Sequence, residues 1–179
     1  YDLFGTVQPN AAHYALAELE ANSMVKSVVT QNVDNLHYDA GSRVVHEFHG
    51  SLKKLVCLSC FSRYAISDID LAVLPPRCSR CNGILKPDVI FFGEPIPEPA
   101  RTDAFAETRQ ADCFVLIGTT GTVAPANLIP GAAKANGAVI IEINPAPSEY
   151  TNHVTDIFIN ARATEAMEGL MKALDRRQP

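Results

Sequence analysis

The sequence predicts an α/β protein: a mostly parallel sheet covered by helices on both faces, with a small zinc-bearing module inserted into it. Three observations carry that expectation. Short β-branched runs alternate with stretches of helical periodicity, the pattern of strand–helix crossovers. Four cysteines, Cys57, Cys60, Cys78 and Cys81, interrupt the alternation once in the spacing C-x2-C-x17-C-x2-C. Finally, the strand-like runs finish in polar or glycine residues that a packed core does not require: TQNVD, HG, GTTGT, INPAP and NARA. In an open parallel sheet such ends line one crevice where ligands bind.

The elements follow in order. Pro9 opens the helical stretch PNAAHYALAELEAN, whose Ala12, Leu16 and Leu19 recur on one face. VKSVVTQN reads as a short buried strand, and RVVHEFHG as a second, its alternation placing Val45, Glu47 and His49 on one side. Short strands and a helical patch, SDIDLAVL, fill the cysteine region from about Leu52 to Lys86. Helix EPARTDAFAETRQA, strand DCFVLIG, helix APANLIPGAAKANG, strand AVIIEIN, strand TDIFINA and helix ATEAMEGLMKALD complete the chain. The expected division is therefore a sheet domain of residues 1–51 and 87–179, with a four-cysteine module at 52–86.

Composition sets the outer bounds. The chain has 179 residues, 47% of them apolar, enough for a sizeable core. A net charge of −5 argues against a nucleic-acid partner, which calls for a basic face. No apolar run approaches the ~20 residues of a membrane span. Five cysteines, four of them in metal spacing, point to a reduced, cytoplasmic setting. The fifth, Cys113, lies in the apolar run DCFVLIG and is expected to be a buried strand position.

Two C-x2-C knuckles supply four soft ligands, so the zinc site is closed and structural, and the chemistry lies elsewhere. Gly118 and Gly121 allow close backbone approach in GTTGTVAPA, and Thr119, Thr120 and Thr122 offer hydroxyls. That turn fits a pyrophosphate at a helix start, or it is an ordinary glycine–threonine turn. Asn144 can bond a ribose or an adenine edge, or cap a turn with Pro145. Gln31, Asn32 and Asp34 can grip the nicotinamide end of a dinucleotide, or form a local Asx-turn. His49, followed by Gly50, is a candidate general base.

Taken together these segments resemble the sirtuins, NAD-dependent protein lysine deacylases, of the bacterial type. TQNVDNLHYDAGS resembles the family's TQNIDxLHxxAG motif, FHGS its catalytic histidine motif, KPDVIFFGE its acyl-lysine loop, and GTTGTVAPA its GTS-x-x-V-x-PA turn. The two cysteine pairs match its structural zinc module. The resemblance implies a Rossmann-like sheet with a small zinc domain, with NAD and an acyl-lysine peptide meeting between them.

It also implies roles. His49 is the general base. Gln31, Asn32 and Asp34 face the nicotinamide end; Gly118, Thr119 and Thr120 the phosphates and ribose; Asn144 and Ala163 the adenosine part. The peptide runs as a strand between Val123 and Phe92–Gly93–Glu94. The acyl group passes from lysine to ADP-ribose with release of nicotinamide. Thr120, Lys86 and Ala161 depart mildly from the family pattern, which has serine, arginine and glycine there. The family's N-terminal strand and glycine-rich turn have no counterpart in this sequence, which begins at Tyr1. A truncated chain of weak activity is therefore expected, the alternative being an inactive peptide-binding zinc protein.

Overall fold

A computed structural model describes residues 7–176. The elements are α1 (Ala11–Ala21), β1 (Val28–Thr30), α2 (Leu36–Asp39), β2 (Val45–Glu47), β3 (Gly50–Cys57), β4 (Arg63–Ala65), β5 (Leu85–Val89), α3 (Ala100–Gln110), β6 (Cys113–Ile117), α4 (Ile129–Ala135), β7 (Val139–Asn144), β8 (Ile157–Asn160) and α5 (Ala163–Asp175). Single 3-10 turns lie at Ile66–Asp68 and Ala126–Leu128.

Local chemistry explains several boundaries. Asn10 caps α1: its side-chain oxygen accepts from the backbone N–H of Ala12 at 3.0 Å, and the His13 ring accepts from the Asn10 N–H at 3.3 Å. Helix α1 then buries Ala12, Ala15 and Leu19 against Ile143 of β7 and Met167 of α5. The expected SDIDLAVL helix is only the 3-10 turn at 66–68, because Asp70 bonds the N–H of Ala72 and bends the chain there.

The strands form three sheets. β1 pairs in parallel with β2, and β6, β7 and β8 form a parallel set in that order. The cysteine region is an antiparallel sheet ordered β4–β3–β5, spanning Gly50–Val89. Both parallel sets sit between the same helices. Alternation along β6 and β7 sends Ile117 and Ile143 to the cluster under α1 and α5, and Leu116 and Ile140 to the cluster under α4. On the α3 and α4 side, Val29 of β1 and Phe114 of β6 pack together on Phe48, Ala104, Ala126 and Ile129. Val25, just before β1, and Ile117 both pack on the α1–α5 cluster on the opposite face. Yet no hydrogen bonds join β1 to β6 among the described residues.

That interruption corrects one expectation. Cys113 is exposed, not buried, and Val115 is 40% exposed, because β6 has a ladder partner on one edge only among the described residues. A second correction concerns RVVHEFHG. It is no continuous strand: β2 ends at Glu47, Phe48 and His49 form a turn, and β3 begins at Gly50 with φ +79°. His49 thus leaves the alternation that Val45 and Glu47 share.

Candidate functional site

The four cysteines come from two equivalent knuckles. In each, the residue after the second cysteine is left-handed, Phe61 at φ 57° and Asn82 at φ 58°. Its N–H closes back on the carbonyl of the first cysteine, Phe61 to Cys57 at 3.0 Å and Asn82 to Cys78 at 2.8 Å. The four Sγ atoms lie within 4.8 Å of one another, with Cys57–Cys81 at 3.5 Å and Cys60–Cys78 at 3.7 Å. A zinc tetrahedron with Zn–S bonds of about 2.3 Å needs edges of about 3.8 Å, so the donor set fits the ion. The Tyr64 hydroxyl, 3.0 Å from Cys78 Sγ, pulls that thiol down to about 6, toward the thiolate a metal requires. Gly83 has to lack a side chain, since a Cβ there would stand 2.6 Å from Ser59 Oγ and 2.9 Å from Cys57 Sγ.

His49 is held from three directions. Phe48 before it is fully buried. Gly50 after it runs so close to β5 that a Cβ would lie 1.9 Å from the Asp88 carbonyl oxygen. Its own carbonyl accepts from the Ile90 N–H at 3.0 Å. The ring's Nδ1 is 3.2 Å from the Gln31 carbonyl oxygen. A carbonyl only accepts, so Nδ1 carries the proton and Nε2 is left as the basic nitrogen. The turn after β1 therefore fixes the tautomer of the histidine.

The rest of that turn has structural duties too. Asp34 Oδ1 accepts from the Leu36 N–H at 3.0 Å, an Asx-turn that starts α2. Thr30 Oγ1 accepts from the Asn32 N–H at 3.1 Å, and the Asn32 side chain is exposed. The rings of His13 and His37 meet at 4.8 Å, tilted by 54°, beside Asp34; burial lowers both imidazoles, and the Asp34 charge only partly offsets it.

A second group forms where β6 and β7 end. Gly118 (φ 63°) and Gly121 (φ 78°) turn the chain, and the Gly121 N–H reaches Thr119 Oγ1 at 3.3 Å. Thr120 and Thr122 join their hydroxyls at 2.9 Å. Asn144 Nδ2 donates to the Thr119 carbonyl at 2.7 Å, which ties this turn to β7. The Ala161 N–H donates to the Asn144 carbonyl at 3.2 Å and brings in the end of β8. Ala163 begins α5 with its side chain packed on the α1 cluster. No helix opens directly on the GTTGT turn, however. The 3-10 turn and seven-residue α4 follow only from Ala126, so the expected helix-start cradle for a phosphate reduces to the glycines and hydroxyls themselves.

The 92–94 loop is set by Lys86, whose Nζ donates to the Val89 carbonyl at 2.8 Å and to Glu94 Oε2 at 2.9 Å. Glu94 also accepts from the Phe91 N–H at 3.0 Å. Phe92 projects free, 99% exposed. Val123 is half-buried and its carbonyl accepts from the Asn127 N–H at 3.0 Å. Hydrogen bonds thus unite Gln31 with His49, and Thr119 with Asn144 and Ala161, while none spans the two sets among the described residues.

One organising residue escapes a reading of the sequence: Glu142. It lies inside the apolar run AVIIEIN, is fully buried, and accepts from Asn144, Ser148, Thr151 and Thr155. An acid in an otherwise apolar strand was the available signal, since a buried carboxylate must find donors.

Known proteins match this arrangement. A family profile described as the Sir2 family matches residues 2–125. NAD-dependent protein deacylase 2 of Pyrobaculum aerophilum is 45% identical over 170 residues, covering 95% of this chain and 68% of its own length. The NAD-dependent protein deacylase of Aeropyrum pernix is 45% identical over 167 residues, 93% of this chain and 67% of its own. Among solved structures, a mutant Sir2 homologue complexed with ADP-ribose superposes with a TM-score of 0.90 at 37% identity, covering 99% of this chain and 72% of that one. A complex described as Sir2 with a p53 peptide and NAD+ gives a TM-score of 0.87 at 28% identity, covering 95% and 72%. Matched over most of its length at this level of identity, the chain belongs to the Sir2 family.

Proposed function

We propose that this protein is an NAD-dependent protein lysine deacylase. It moves the acyl group of an acyl-lysine onto ADP-ribose and releases nicotinamide. The observation that carries the reading is the His49–Gln31 contact, which leaves Nε2 unprotonated and able to take a proton from a ribose hydroxyl. NAD is consumed as a co-substrate and supplies the sugar carbon that accepts the acyl oxygen. On this reading Gln31, Asn32 and Asp34 bind the nicotinamide end, and Gly118, Thr119 and Thr120 the phosphates and ribose. Asn144 and Ala163 bind the adenosine part. Phe92, Gly93, Glu94 and Val123 flank an extended acyl-lysine peptide, and Cys57, Cys60, Cys78 and Cys81 hold structural zinc.

The organisation we infer is a Rossmann-like part, residues 1–51 and 87–179, with a zinc module at 52–86. A cytoplasmic location is supported by the clustered free thiols; no described helix is long and apolar enough to cross a membrane.

A second reading, a peptide-binding zinc protein without turnover, is favoured by one observation: among the described residues no ladder joins β1 to β6, the strands that would floor the NAD cleft. Nicotinamide release from NAD and an acetyl-lysine peptide separates the two. The deacylase reading expects release in the unaltered chain, and deacylation of the peptide that falls about 10²–10⁴-fold in His49→Ala, the range for loss of a general base. Peptide binding with no release in the unaltered chain would decide for the second reading.

A further inference from the structure

We propose that Glu142 is a positioning residue that fixes the Asn144 amide so that its oxygen, not its nitrogen, faces the ligand. The inference rests on the cleft reading above, which puts the adenosine part of the co-substrate at Asn144.

The hydrogen-bond chemistry leaves one arrangement. Asn144 Nδ2 lies 2.7 Å from the Thr119 carbonyl oxygen and 3.2 Å from Glu142 Oε1. A carbonyl and a carboxylate are both pure acceptors, so both amide hydrogens are committed to them and Oδ1 is turned away. Reversing the amide would set Oδ1 against two other oxygens. Among the described residues no group donates to Oδ1, and it is not one of the buried polar atoms left without a partner. It is therefore an open acceptor at the end of β7, beside the GTTGT turn.

Glu142 can impose this because it cannot itself move. Its Oε1 accepts from Ser148 Oγ at 2.6 Å and Thr151 Oγ1 at 3.1 Å; its Oε2 accepts from Thr151 Oγ1 at 2.9 Å and Thr155 Oγ1 at 2.7 Å. The carboxylate thus joins the 148–155 segment to Asn144, and through Asn144 to the turn carbonyl of Thr119. An open acceptor selects ligand donors, meaning a sugar hydroxyl or an exocyclic amine, and rejects a phosphate oxygen.

Two readouts test this in the 179-residue protein. In 15N-labelled protein, the Asn144 side-chain amide protons should exchange slowly in the absence of ligand. Glu142→Met should make them exchange as a free amide. Glu142→Gln should keep them protected, because its oxygen still accepts from Asn144 while its new N–H groups donate to Thr151 and Thr155. Calorimetry with ADP-ribose should show about tenfold weaker binding in Glu142→Met, the size of one lost hydrogen bond, and a change under about threefold in Glu142→Gln. Rapid exchange of the Asn144 amide in the unaltered protein overturns the proposal even if Glu142→Met fails to fold. So does a Glu142→Met protein that folds and binds ADP-ribose normally. If the unaltered protein shows slow amide exchange but binds no ADP-ribose, the positioning stands and the reading of the cleft fails.

Discussion

The cysteine sheet and the parallel strands reach order by opposite routes. The sheet of β3, β4 and β5 has a core of four buried residues, Leu55, Cys57, Cys78 and Leu85, and two of these belong to the four-cysteine cluster that could hold a metal ion. The parallel strands instead sit among three apolar clusters supplied by α1, α3, α4 and α5. A small core cannot offset the chain entropy of forty residues, so there binding energy has to act as folding energy. In the parallel region the apolar clusters carry the packing, and among the described residues no ladder joins β1 to β6.

The largest effect should therefore be confined to one region. Chelation of zinc, or Cys57→Ala, should abolish amide protection across residues 50–57 and 85–89 and leave β6–β8 protected. Structural zinc in such modules is worth about 10–16 kcal/mol, far beyond what that core supplies. Metal analysis of the folded protein should return one zinc per chain. Uniform loss of protection in both regions would show that the two do not differ in this way.

These differences also govern what the sequence disclosed. Much that is local was legible: the knuckle spacing, most of the alternation of strands and helices, and the glycines at turns; the short α2 and the break of RVVHEFHG at Phe48 were not. Pairing was less so. That β1 and β6 would share helices but no ladder depends on contacts more than eighty residues apart, and the exposed Cys113 follows from that gap. His49 was picked out by its neighbours, yet its place in a turn depends on Gly50 pressing against Asp88, which no periodicity displays. Glu142 could have been suspected as an acid in an apolar strand, but its partners could not, because the donors Ser148 to Thr155 lie in a segment with no motif.

A smaller effect should come from the joint between the regions. Gly50 combines φ +79° with a contact that would put a Cβ 1.9 Å from the Asp88 carbonyl oxygen. Gly50→Ala should cost roughly 3 kcal/mol, through strained backbone and a displaced β5. Because the same shift moves His49, nicotinamide release should fall more than the folded fraction does. Thermal unfolding read beside turnover checks both; an alanine variant with unchanged stability would mean that β3 and β5 separate there at little cost.

The smallest effect is a pH dependence located in the parallel region. Burial works to raise the Glu142 carboxyl, but hydrogen bonds from Ser148, Thr155, Asn144 and Thr151 outweigh it and hold the group below the usual carboxylate range. A folded-state pKa lower than the unfolded value of about 4.3 means that the unfolded chain binds the extra proton. The stabilisation is then complete above that value and drains away as pH falls through the folded pKa. Glu94, Glu98 and Asp156 are lowered as well and add to the same acid slope. His13 and His37, lowered mainly by burial, act in a separate window that begins near pH 6.5, where acidification charges them more readily in the unfolded chain. Denaturant unfolding of the wild type and Glu142→Gln across about pH 3 to 7.5, a range set by these reference values, isolates the Glu142 contribution. The glutamine variant should lose less stability on acidification below about pH 4.3 and show the same histidine step above it. Parallel curves in the acid limb would mean that the four donors hold Glu142 no more tightly when it is ionised than when it is protonated.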